Sequence, residues 1–316
     1  MPLSEFALIA DVFAPLAKSK AALGLKDDVA LLSPRRGYEM ALKTDTIVEG
    51  VDFFSSDPPQ FIAQKALRVN LSDLAAKGAK PEAYLLTLVL PKTISTAWLR
   101  AFAKGLAADQ KRFGVTLLGG DMSSTRGPVT ISIAAFGSVP RGKAILRNGA
   151  REGDSVFVTG TIGDSGGGLA ALRAKKQSPY LIGRYRRPLP RVTMGLALRG
   201  LAHAALDVSD GLLADLGHIA EVSKVHIAVE AARIPLSAAL ERFWGASAAV
   251  RAATAGDDYE IAFIAPRSRR AAILRAARAT GTPVTEIGFV MRGRGVALLG
   301  RDGKPMRVTR TGWQHF

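Results

Sequence analysis

The sequence predicts an α+β fold of two domains. Helical and strand-like hydrophobic patterns alternate along its 316 residues, without an internal repeat or a heptad pattern. A stretch of linker composition lies near the middle, where residues 139–153 contain one proline and three glycines. A chain of this length forms two domains or one large one. We therefore expect domains at residues 1–140 and 141–316.

The first half alternates strand and helix signals. Pro58 and Pro59 open a long helical pattern that ends near Gly78, because proline suits the first helical turn and glycine follows the last one. Ser95 is a typical N-cap for a second helix, which we expect to end at Gly114. Strands are predicted at Val29–Leu32, Glu39–Thr44, Ala83–Leu90, Val115–Leu118 and Val129–Phe136.

The second half also alternates strand and helix signals. A glycine-rich turn leads into a helix near residues 166–174, and a basic, proline-bounded loop at Arg184–Arg191 leads into a helix at Val192–Ala204. The motif Ser209-Asp210-Gly211 opens a helix that we expect to end at Ser223. Strands are predicted at Ser155–Thr159, Ala205–Val208, His226–Glu230, Glu260–Ala265, Thr285–Val290 and Val296–Leu299.

Composition excludes several classes of protein. Without cysteine there is no disulfide, zinc–thiolate site or cysteine nucleophile. No apolar segment approaches the roughly 20 residues of a transmembrane helix, and the N-terminal segment lacks the basic region of a secretory signal. We therefore expect a cytoplasmic protein without a membrane partner.

The basic excess needs its own explanation. The chain has 43 Lys and Arg against 27 Asp and Glu, a formal net charge of +16. The excess is spread over both halves, and its densest cluster, at Arg267–Arg278, follows a helical pattern typical of a solvated face. A nucleic-acid-binding patch is the alternative explanation. We expect no nucleic-acid partner.

Most familiar catalytic motifs are absent. The chain has no P-loop and no GxSxG motif, and the glycine-rich run at residues 160–168 lacks the GxGxxG spacing. The four histidines show no metal-ligand spacing, and His218 is expected to be a packing or surface residue.

Aspartates at the junctions of predicted elements are the main chemical signal. Each has a structural explanation: Asp73 is spaced to pair with Lys77, Asp210 to cap a helix and Asp121 to close a turn. Together they form a set of hard oxygen donors, which favours Mg²⁺ and nucleotide phosphates. The set comprises Asp27, Asp28, Asp45, Asp73, Asp121, Asp207, Asp210, Asp257 and Asp258.

Long motifs follow one another along nearly the whole chain. They are DDVALL from residue 27, KTDTIVEGVDF from 43, KALRVNLSDLAAKGAKP from 65, LLGGDMSS from 117, VTGTIGDSGGGLAAL from 158, RRPLPR from 186, LDVSDGLLADLGHIAE from 206, AGDDYEIAF from 255 and GWQHF from 312. At these motifs the sequence resembles the thiamine-monophosphate kinases, of the superfamily that includes aminoimidazole ribonucleotide synthetase. That synthetase remains the alternative within the superfamily, whereas the relatives that use cysteine or selenocysteine are excluded because this chain has no cysteine.

The resemblance implies a Mg²⁺-dependent enzyme, with several ions, that transfers the γ-phosphoryl group of ATP to thiamine monophosphate and forms thiamine diphosphate. It also implies an N-terminal mixed sheet that forms a barrel with its twin in a homodimer, a C-terminal α/β sandwich, and ATP in a cleft between the domains. The acceptor phosphate is mostly ionised near pH 7, since its second pKa is about 6. We therefore expect direct in-line transfer, with no catalytic base and no covalent intermediate.

Carried over position by position, the resemblance assigns three groups of residues. The metal ligands are Asp28, Thr44, Asp45, Asp73, Asp121, Asp207 and Asp210. The ATP contacts are Gly120, Asp121, Arg147 and Ser209. The substrate contacts are Asp52, Asp257 and Trp313. The ring of Trp313 suits the cationic thiazolium of the substrate, and packing of a C-terminal strand is its alternative role.

Four positions depart from the family pattern. Lys26 replaces a glycine, Lys43 a small hydroxyl residue, Asp52 a histidine and Asp257 a glutamate. An ionised Asp52 cannot donate a hydrogen bond to phosphate, and Lys43 is placed to neutralise a phosphate or a carboxylate instead of binding metal. These departures leave a second hypothesis: the chain is a family member that binds nucleotide or thiamine phosphates without turnover.

Overall fold

The chain divides into two packing units after Gly142. The first comprises the chain through Leu74 together with Ala79–Gly142, and the second comprises Ala75–Gly78 together with the chain from Lys143 onward. This computed structural model describes residues 5–313, so the last three residues of the GWQHF motif lie outside the described part. No helix in the described part combines the length and the hydropathy needed to cross a membrane.

A mixed four-stranded sheet forms the centre of the first unit. Its strand order is β1-β4-β2-β3, in which β4 runs antiparallel to both of its neighbours and β2 runs parallel to β3. The mixed sheet expected in the N-terminal half is therefore confirmed. The strands are β1 (Tyr38–Val48), β2 (Lys80–Pro91), β3 (Thr116–Thr125) and β4 (Thr130–Pro140), and the helices are α1 (Glu5–Leu8), α2 (Pro59–Ala76) and α3 (Thr96–Phe113).

The caps of α3 follow the sequence signals. The Ser95 side chain accepts a hydrogen bond from the Trp98 N–H at 3.1 Å, and Gly114 ends the helix in a left-handed conformation with φ of 68°. A residue with a Cβ is disfavoured in that conformation, which explains the glycine at this position. Both predicted ends of this helix are confirmed.

The predicted strand at Val29–Leu32 is wrong. This segment forms no ladder, and its Leu31 N–H donates instead to the Ala21 carbonyl oxygen at 2.9 Å. Val29 and Leu31 are 57% and 65% exposed. Hydrophobicity alone suggested a strand, but a strand also needs a neighbouring strand for its backbone groups.

The second unit is built on a six-stranded sheet of order β10-β7-β9-β5-β8-β6. The β10–β7 pair is parallel, and the other four pairs are antiparallel. Its strands are β5 (Ser155–Thr159), β6 (Ala204–Asp207), β7 (His226–Glu230), β8 (Ile261–Ala265), β9 (Val284–Met291) and β10 (Gly295–Leu299). Its helices are α4 (Asp164–Arg173), α5 (Pro179–Arg186), α6 (Val192–Ala197), α7 (Leu212–Ser223), α8 (Ala238–Trp244), α9 (Ala248–Thr254) and α10 (Arg270–Thr280).

Helices cover both faces of this second sheet. Successive residues of its central strands enter two separate hydrophobic clusters: Val156 and Val158 belong to one, and Phe157 to the other. Phe157 stacks on Phe263 of β8 with ring centroids 5.2 Å apart. Because side chains alternate across a strand, the two clusters mark opposite faces. The expected C-terminal α/β sandwich is confirmed.

Two predicted boundaries near the middle of this unit are wrong. The first residues of the predicted loop Arg184–Arg191 complete α5, and the predicted helix Val192–Ala204 ends at Ala197. Gly200 has a φ of 71°, a left-handed conformation that a helix interior does not tolerate.

A buried ion pair joins the two long helices of the first unit. Arg68 on α2 donates from Nε to Asp109 Oδ2 at 2.7 Å and from Nη2 to Oδ1 at 2.8 Å, and Gln64 adds a hydrogen bond to the same carboxylate at 3.1 Å. Both charged side chains are almost fully buried. Gly105 permits this close approach of the helices, because a Cβ there would overlap the Gln60 carbonyl oxygen.

We predict that Asp109→Ala lowers the free energy of unfolding by about 3–5 kcal/mol, because it leaves a buried guanidinium without the carboxylate that neutralises it. Urea denaturation followed by circular dichroism measures the change. The control is Asp11→Ala, which removes an exposed ion pair with Arg100 and should cost less than about 1 kcal/mol. Equal effects of the two substitutions would contradict the prediction.

Candidate functional site

Two of the expected metal ligands in the first unit meet at a lysine. The Lys43 ammonium lies 3.1 Å from Asp45 Oδ1 and 2.9 Å from Asp73 Oδ2. Lys43 and Asp45 are two residues apart on β1 and therefore share a face of the strand, while Asp73 comes from α2. The predicted alternative for Asp73 was a pair with Lys77; the structure pairs it with Lys43, and Lys77 donates to the Ala205 carbonyl oxygen.

The opposite charges of Lys43 and the two aspartates shift the pKa values of this cluster. Burial lowers the pKa of Lys43, but Asp73 and Asp45 raise it by more, so its pKa lies above the usual value. Burial raises the pKa of Asp45, and the attraction of Lys43 offsets part of that rise. Lys43 therefore carries its charge at neutral pH.

Thr44 points away from this cluster. Along β1, Lys43 and Asp45 are half-buried, whereas Thr44 and Thr46 are exposed. The Thr46 hydroxyl donates to Ser132 Oγ on β4 at 3.0 Å. Strand alternation therefore puts the Thr44 hydroxyl on the face opposite the Lys43–Asp45–Asp73 cluster.

A second group of carboxylates lines a groove at the other edge of the same sheet. The groove has a volume of about 860 Å³, and Asp27, Asp28, Gly120 and Asp121 are among its lining residues. Both Asp28 and Asp121 are exposed to solvent. Their oxygens are thus available to an incoming ligand or ion.

Gly120 has a structural reason to be glycine. We expected this strand to end at Leu118, but β3 continues through Gly119-Gly120-Asp121, and Gly120 pairs with Leu86 of β2. A Cβ at Gly120 would overlap the Leu86 carbonyl oxygen. The glycine lets the two strands approach each other, and this holds the backbone around Asp121 in the groove wall.

The acidic residues of the first unit thus form two groups. Asp45 lies on β1 and Asp121 on β3, the two edge strands, with β4 and β2 between them. Three strand spacings amount to about 14 Å along a sheet. One ion therefore cannot bridge these two strands along the plane of the sheet.

Asp52 closes the turn that follows β1. Its Oδ2 accepts a hydrogen bond from the Val48 N–H at 2.8 Å, and its carbonyl oxygen accepts one from Lys65 Nζ at 2.7 Å. This gives the aspartate a local structural role at a position where the family pattern has histidine.

In the second unit, one carboxylate holds the loop after β6. Asp215 Oδ2 accepts N–H hydrogen bonds from Ser209, Asp210 and Gly211 at 3.0–3.1 Å. Gly211 is the N-cap residue of α7 and makes no side-chain cap, so the alternative of Asp210 as a helix cap is wrong. Burial raises the pKa of Asp215 to about 7, although the hydrogen bond from Gly211 acts against it.

Two further predicted residues reach this loop through their backbones. The Asp257 N–H donates to the Ser209 carbonyl oxygen, and the Trp313 N–H donates to the Asp210 carbonyl oxygen, both at 2.8 Å. Trp313 is 49% exposed. The structure therefore brings Ser209, Asp210, Asp257 and Trp313 together, next to Asp207 at the end of β6.

The backbone around Asp257 is strained. Asp257 and Tyr259 have φ values of 68° and 53°, in the left-handed region that residues with a Cβ seldom adopt. The Tyr259 hydroxyl donates to Asp257 Oδ1 at 3.2 Å. Strain of this kind persists only where the surrounding contacts hold it.

Arg147 lies at the other end of β6. The Ala205 N–H donates to the neighbouring Leu146 carbonyl oxygen at 3.0 Å, whereas Asp207 is the last residue of that strand. The Arg147 side chain is exposed. Within this unit, the backbone of Arg147 therefore lies at the end of β6 opposite to the Ser209–Gly211 loop.

Buried acidic residues brace the same region. Asp258 accepts N–H hydrogen bonds from Gly163 and Ser165 at the start of α4, and burial raises its pKa well above the usual value. Glu260 is fully buried and accepts hydrogen bonds from Thr159 at 2.7 Å, from Arg191 at 2.6–2.7 Å and from Arg184 at 2.9 Å. These contacts tie the Asp257 turn to the first strand and helix of the unit.

Sequence reasoning missed two of these residues. Asp215 has the appearance of an ordinary acidic residue in a first helical turn, and Glu260 that of the polar end of a strand. His218 is exposed as expected, but its ring lies near Asp210 and Asp215, and one ligand atom from each of the three lies within 4.8 Å of the others. The signal for Asp215 and His218 is their position about one and two turns after Asp210, on a helix that starts at this loop.

Comparison with known proteins decides the family. Models of the AIR synthase related protein N-terminal and C-terminal domains match residues 26–139 and 151–300. The thiamine-monophosphate kinase of Escherichia coli (strain K12) is 41% identical over 326 residues, which cover 100% of this chain and 99% of that protein. The chain belongs to the thiamine-monophosphate kinase family. The kinase of Caulobacter vibrioides is also 41% identical, over 99% of this chain and 91% of its own length.

Solved structures of thiamine-monophosphate kinases share the fold. The enzyme from Stenotrophomonas maltophilia has a TM-score of 0.87 and 41% identity, over 97% of this chain and 99% of its own. A structure described as AaThiL complexed with AMPPCP and TMP has a TM-score of 0.80 and 33% identity, over 100% of this chain and 99% of its own. The thiamine-monophosphate kinases are phosphotransferases, and so is this chain.

We predict that Asp215→Ala frees the Ser209–Gly211 loop, because three backbone N–H groups lose their acceptor at a cost of about 1–3 kcal/mol for each one left buried. Hydrogen exchange measured by mass spectrometry should show faster exchange in a peptide that spans residues 207–213. Asp215→Asn keeps a carbonyl acceptor and should show a smaller increase. Unchanged exchange in Asp215→Ala would refute the assigned role.

Proposed function

We propose that this protein transfers the γ-phosphoryl group of ATP to thiamine monophosphate and releases thiamine diphosphate. The observation that carries the proposal is the full-length likeness to the thiamine-monophosphate kinases. The 33% identical relative described as complexed with AMPPCP and TMP supports the choice of both substrates, an adenine nucleotide and thiamine monophosphate.

Mg²⁺ fits the donor set of this chain. The candidate ligands are carboxylate oxygens, the type that Mg²⁺ prefers. We propose Asp28 and Asp121 in the groove, and Asp207 and Asp210 in the second unit, as its ligands. Asp45, Asp73 and Thr44 complete the set that the family resemblance assigns, but Lys43 already pairs with the two carboxylates and Thr44 lies on the other face of β1. Bound Mg²⁺ supplies positive charge to phosphate oxygens and thereby lowers the repulsion between the two anionic substrates.

The protein's own residues orient the substrates. We propose that Gly120, Arg147 and Ser209 contact ATP, since a guanidinium fork matches phosphate oxygens. Asp257 and the exposed ring of Trp313 are proposed to hold thiamine monophosphate, with Asp52 shaping a substrate-contacting turn. The acceptor phosphate is already mostly ionised near pH 7, so no side chain is required as a base, and direct in-line transfer follows.

We also propose a homodimer formed through the sheet of the first unit. Exposed apolar side chains support this proposal: Leu42 on β1 is 68% exposed and Leu31 is 65% exposed. Large apolar side chains that the fold leaves exposed are candidates for a protein interface. We propose that residues 1–140 form the domain that binds nucleotide and metal and forms the dimer, and that residues 141–316 form the second domain. We also propose that the enzyme is cytoplasmic and has no nucleic-acid partner.

We predict that Asp45→Asn and Asp121→Asn each reduce turnover at least about 100-fold. Asp121→Asn removes a negative charge from a proposed metal site, and Asp45→Asn removes one of the two carboxylates that hold the Lys43 ammonium. The assay incubates purified protein with ATP, MgCl₂ and thiamine monophosphate, and quantifies thiamine diphosphate by chromatography. Circular dichroism checks the fold, and Asp11→Asn serves as a control. If the unmodified protein forms no product where an active relative does, the kinase proposal is wrong.

We predict that Trp313→Ala raises KM for thiamine monophosphate by about 5- to 30-fold, which corresponds to the 1–2 kcal/mol of a cation–π contact, and leaves KM for ATP within about twofold. Trp313→Phe keeps an aromatic face and should raise it less. Steady-state kinetics with each substrate varied in turn make the measurement. Equal rises in both KM values would point to a packing role for Trp313.

A further inference from the structure

Lys43 occupies the position between two carboxylates at which a cation is required. Its ammonium is 3.1 Å from Asp45 Oδ1 and 2.9 Å from Asp73 Oδ2, and only 31% of its side chain is exposed. Two carboxylates this close to one point repel each other unless a positive charge lies between them. Here the chain itself supplies that charge.

We propose that the Lys43 ammonium is a built-in cation that takes the place of one divalent ion at the Asp45–Asp73 pair. The proposal rests on the proposed function, because it concerns the metal complement of that same site. Its consequence is that this protein binds one divalent ion fewer per chain than it would with a small residue at position 43.

Geometry opposes simultaneous occupation by lysine and metal. A Mg²⁺ ion bound to Asp45 Oδ1 and Asp73 Oδ2 would lie about 2.1 Å from each oxygen. The Lys43 nitrogen already lies within 3.1 Å of the same two oxygens. An ion that shares both oxygens would therefore lie within about 5 Å of the ammonium nitrogen, and the two positive charges would repel each other.

Because of the local chain geometry, only a long cationic side chain at position 43 can take the place of an ion between Asp45 and Asp73. Lys43 and Asp45 share one face of β1, while Asp73 belongs to α2. A serine or threonine at position 43 would end near its own strand and bring no charge to Asp73. Lysine spans the gap and donates to both carboxylates, with a third N–H left for a phosphate oxygen or water.

The groove on the other edge strand is independent of this lysine. Asp28 and Asp121 line that groove, and β4 and β2 lie between β1 and β3, the strand that carries Asp121. The replacement therefore removes the need for one ion at the β1 edge and leaves the carboxylates of the groove available for metal.

Counting bound Mn²⁺ tests the proposal, with the full-length protein and Mn²⁺ as the probe. The electron paramagnetic resonance signal of free Mn²⁺ gives the number of ions bound per chain at saturation, in samples without added nucleotide, since a triphosphate analogue itself binds Mn²⁺. Lys43→Ser should bind one more Mn²⁺ per chain than the unmodified protein. Lys43→Arg keeps the charge and should match the unmodified protein, as should Lys104→Ser on the exposed face of α3.

Thermal unfolding gives a second readout that does not depend on turnover. Adding 10 mM MgCl₂ should raise the Tm of Lys43→Ser by several degrees more than that of the unmodified protein, because binding to the folded state stabilises it. If Lys43→Ser does not fold, Lys43→Gln takes its place in both measurements with the same expectation.

The outcomes separate this inference from the proposed function. Equal Mn²⁺ counts in Lys43→Ser and in the unmodified protein overturn the role of Lys43, even if the unmodified protein forms thiamine diphosphate. Absence of product in the kinase assay overturns the proposed function, whereas an extra Mn²⁺ in Lys43→Ser still supports the built-in cation. If neither protein binds Mn²⁺, the inference is overturned as well.

Discussion

Three backbone N–H groups that converge on one oxygen of Asp215 determine the conformation of the loop between β6 and α7. Other parts of the second unit depend on that loop, because its carbonyl oxygens accept the N–H groups of Asp257 and Trp313. A single carboxylate on the first turn of a helix thus organises residues that come from three distant parts of the chain. The same loop carries Ser209 and Asp210. The hydrogen bonds to Asp215 therefore fix the positions of a proposed ATP contact and a proposed metal ligand.

Buried acids elsewhere in this unit act in a similar way. Asp258 holds the start of α4, and Glu260 joins Arg184 and Arg191. Gly160 fits beside Glu260 only because it has no Cβ, which would overlap the Glu260 carboxylate. The first glycine of the turn after β5 is therefore explained by packing against an acidic side chain.

Local signals predicted most of the fold. Ser95 and Gly114 define α3 through capping chemistry that depends on a few neighbouring residues, and alternating hydrophobic residues located the strands. Val29–Leu32 is the predicted strand that the structure lacks, since a strand exists only where another strand meets it. The candidate site is harder to predict from the sequence than the fold is. The sequence identifies the aspartates, but the pairing of Asp73 with Lys43 and the three hydrogen bonds to Asp215 depend on tertiary contacts.

The net charge of +16 gives little information about the electrostatics of the candidate site. Several buried or half-buried cations lie beside carboxylates: Arg68 at Asp109, Arg184 and Arg191 at Glu260, and Lys43 at Asp45 and Asp73. Exposed arginines are screened by solvent and salt, whereas a half-buried ammonium 3 Å from two carboxylates is screened much less. A single lysine on β1 therefore changes the local charge more than the whole surface excess does. The exposed carboxylates of Asp28 and Asp121 lack a comparable neighbour among the ion pairs of the described residues, which makes the groove the place in the first unit where an added cation has most to neutralise.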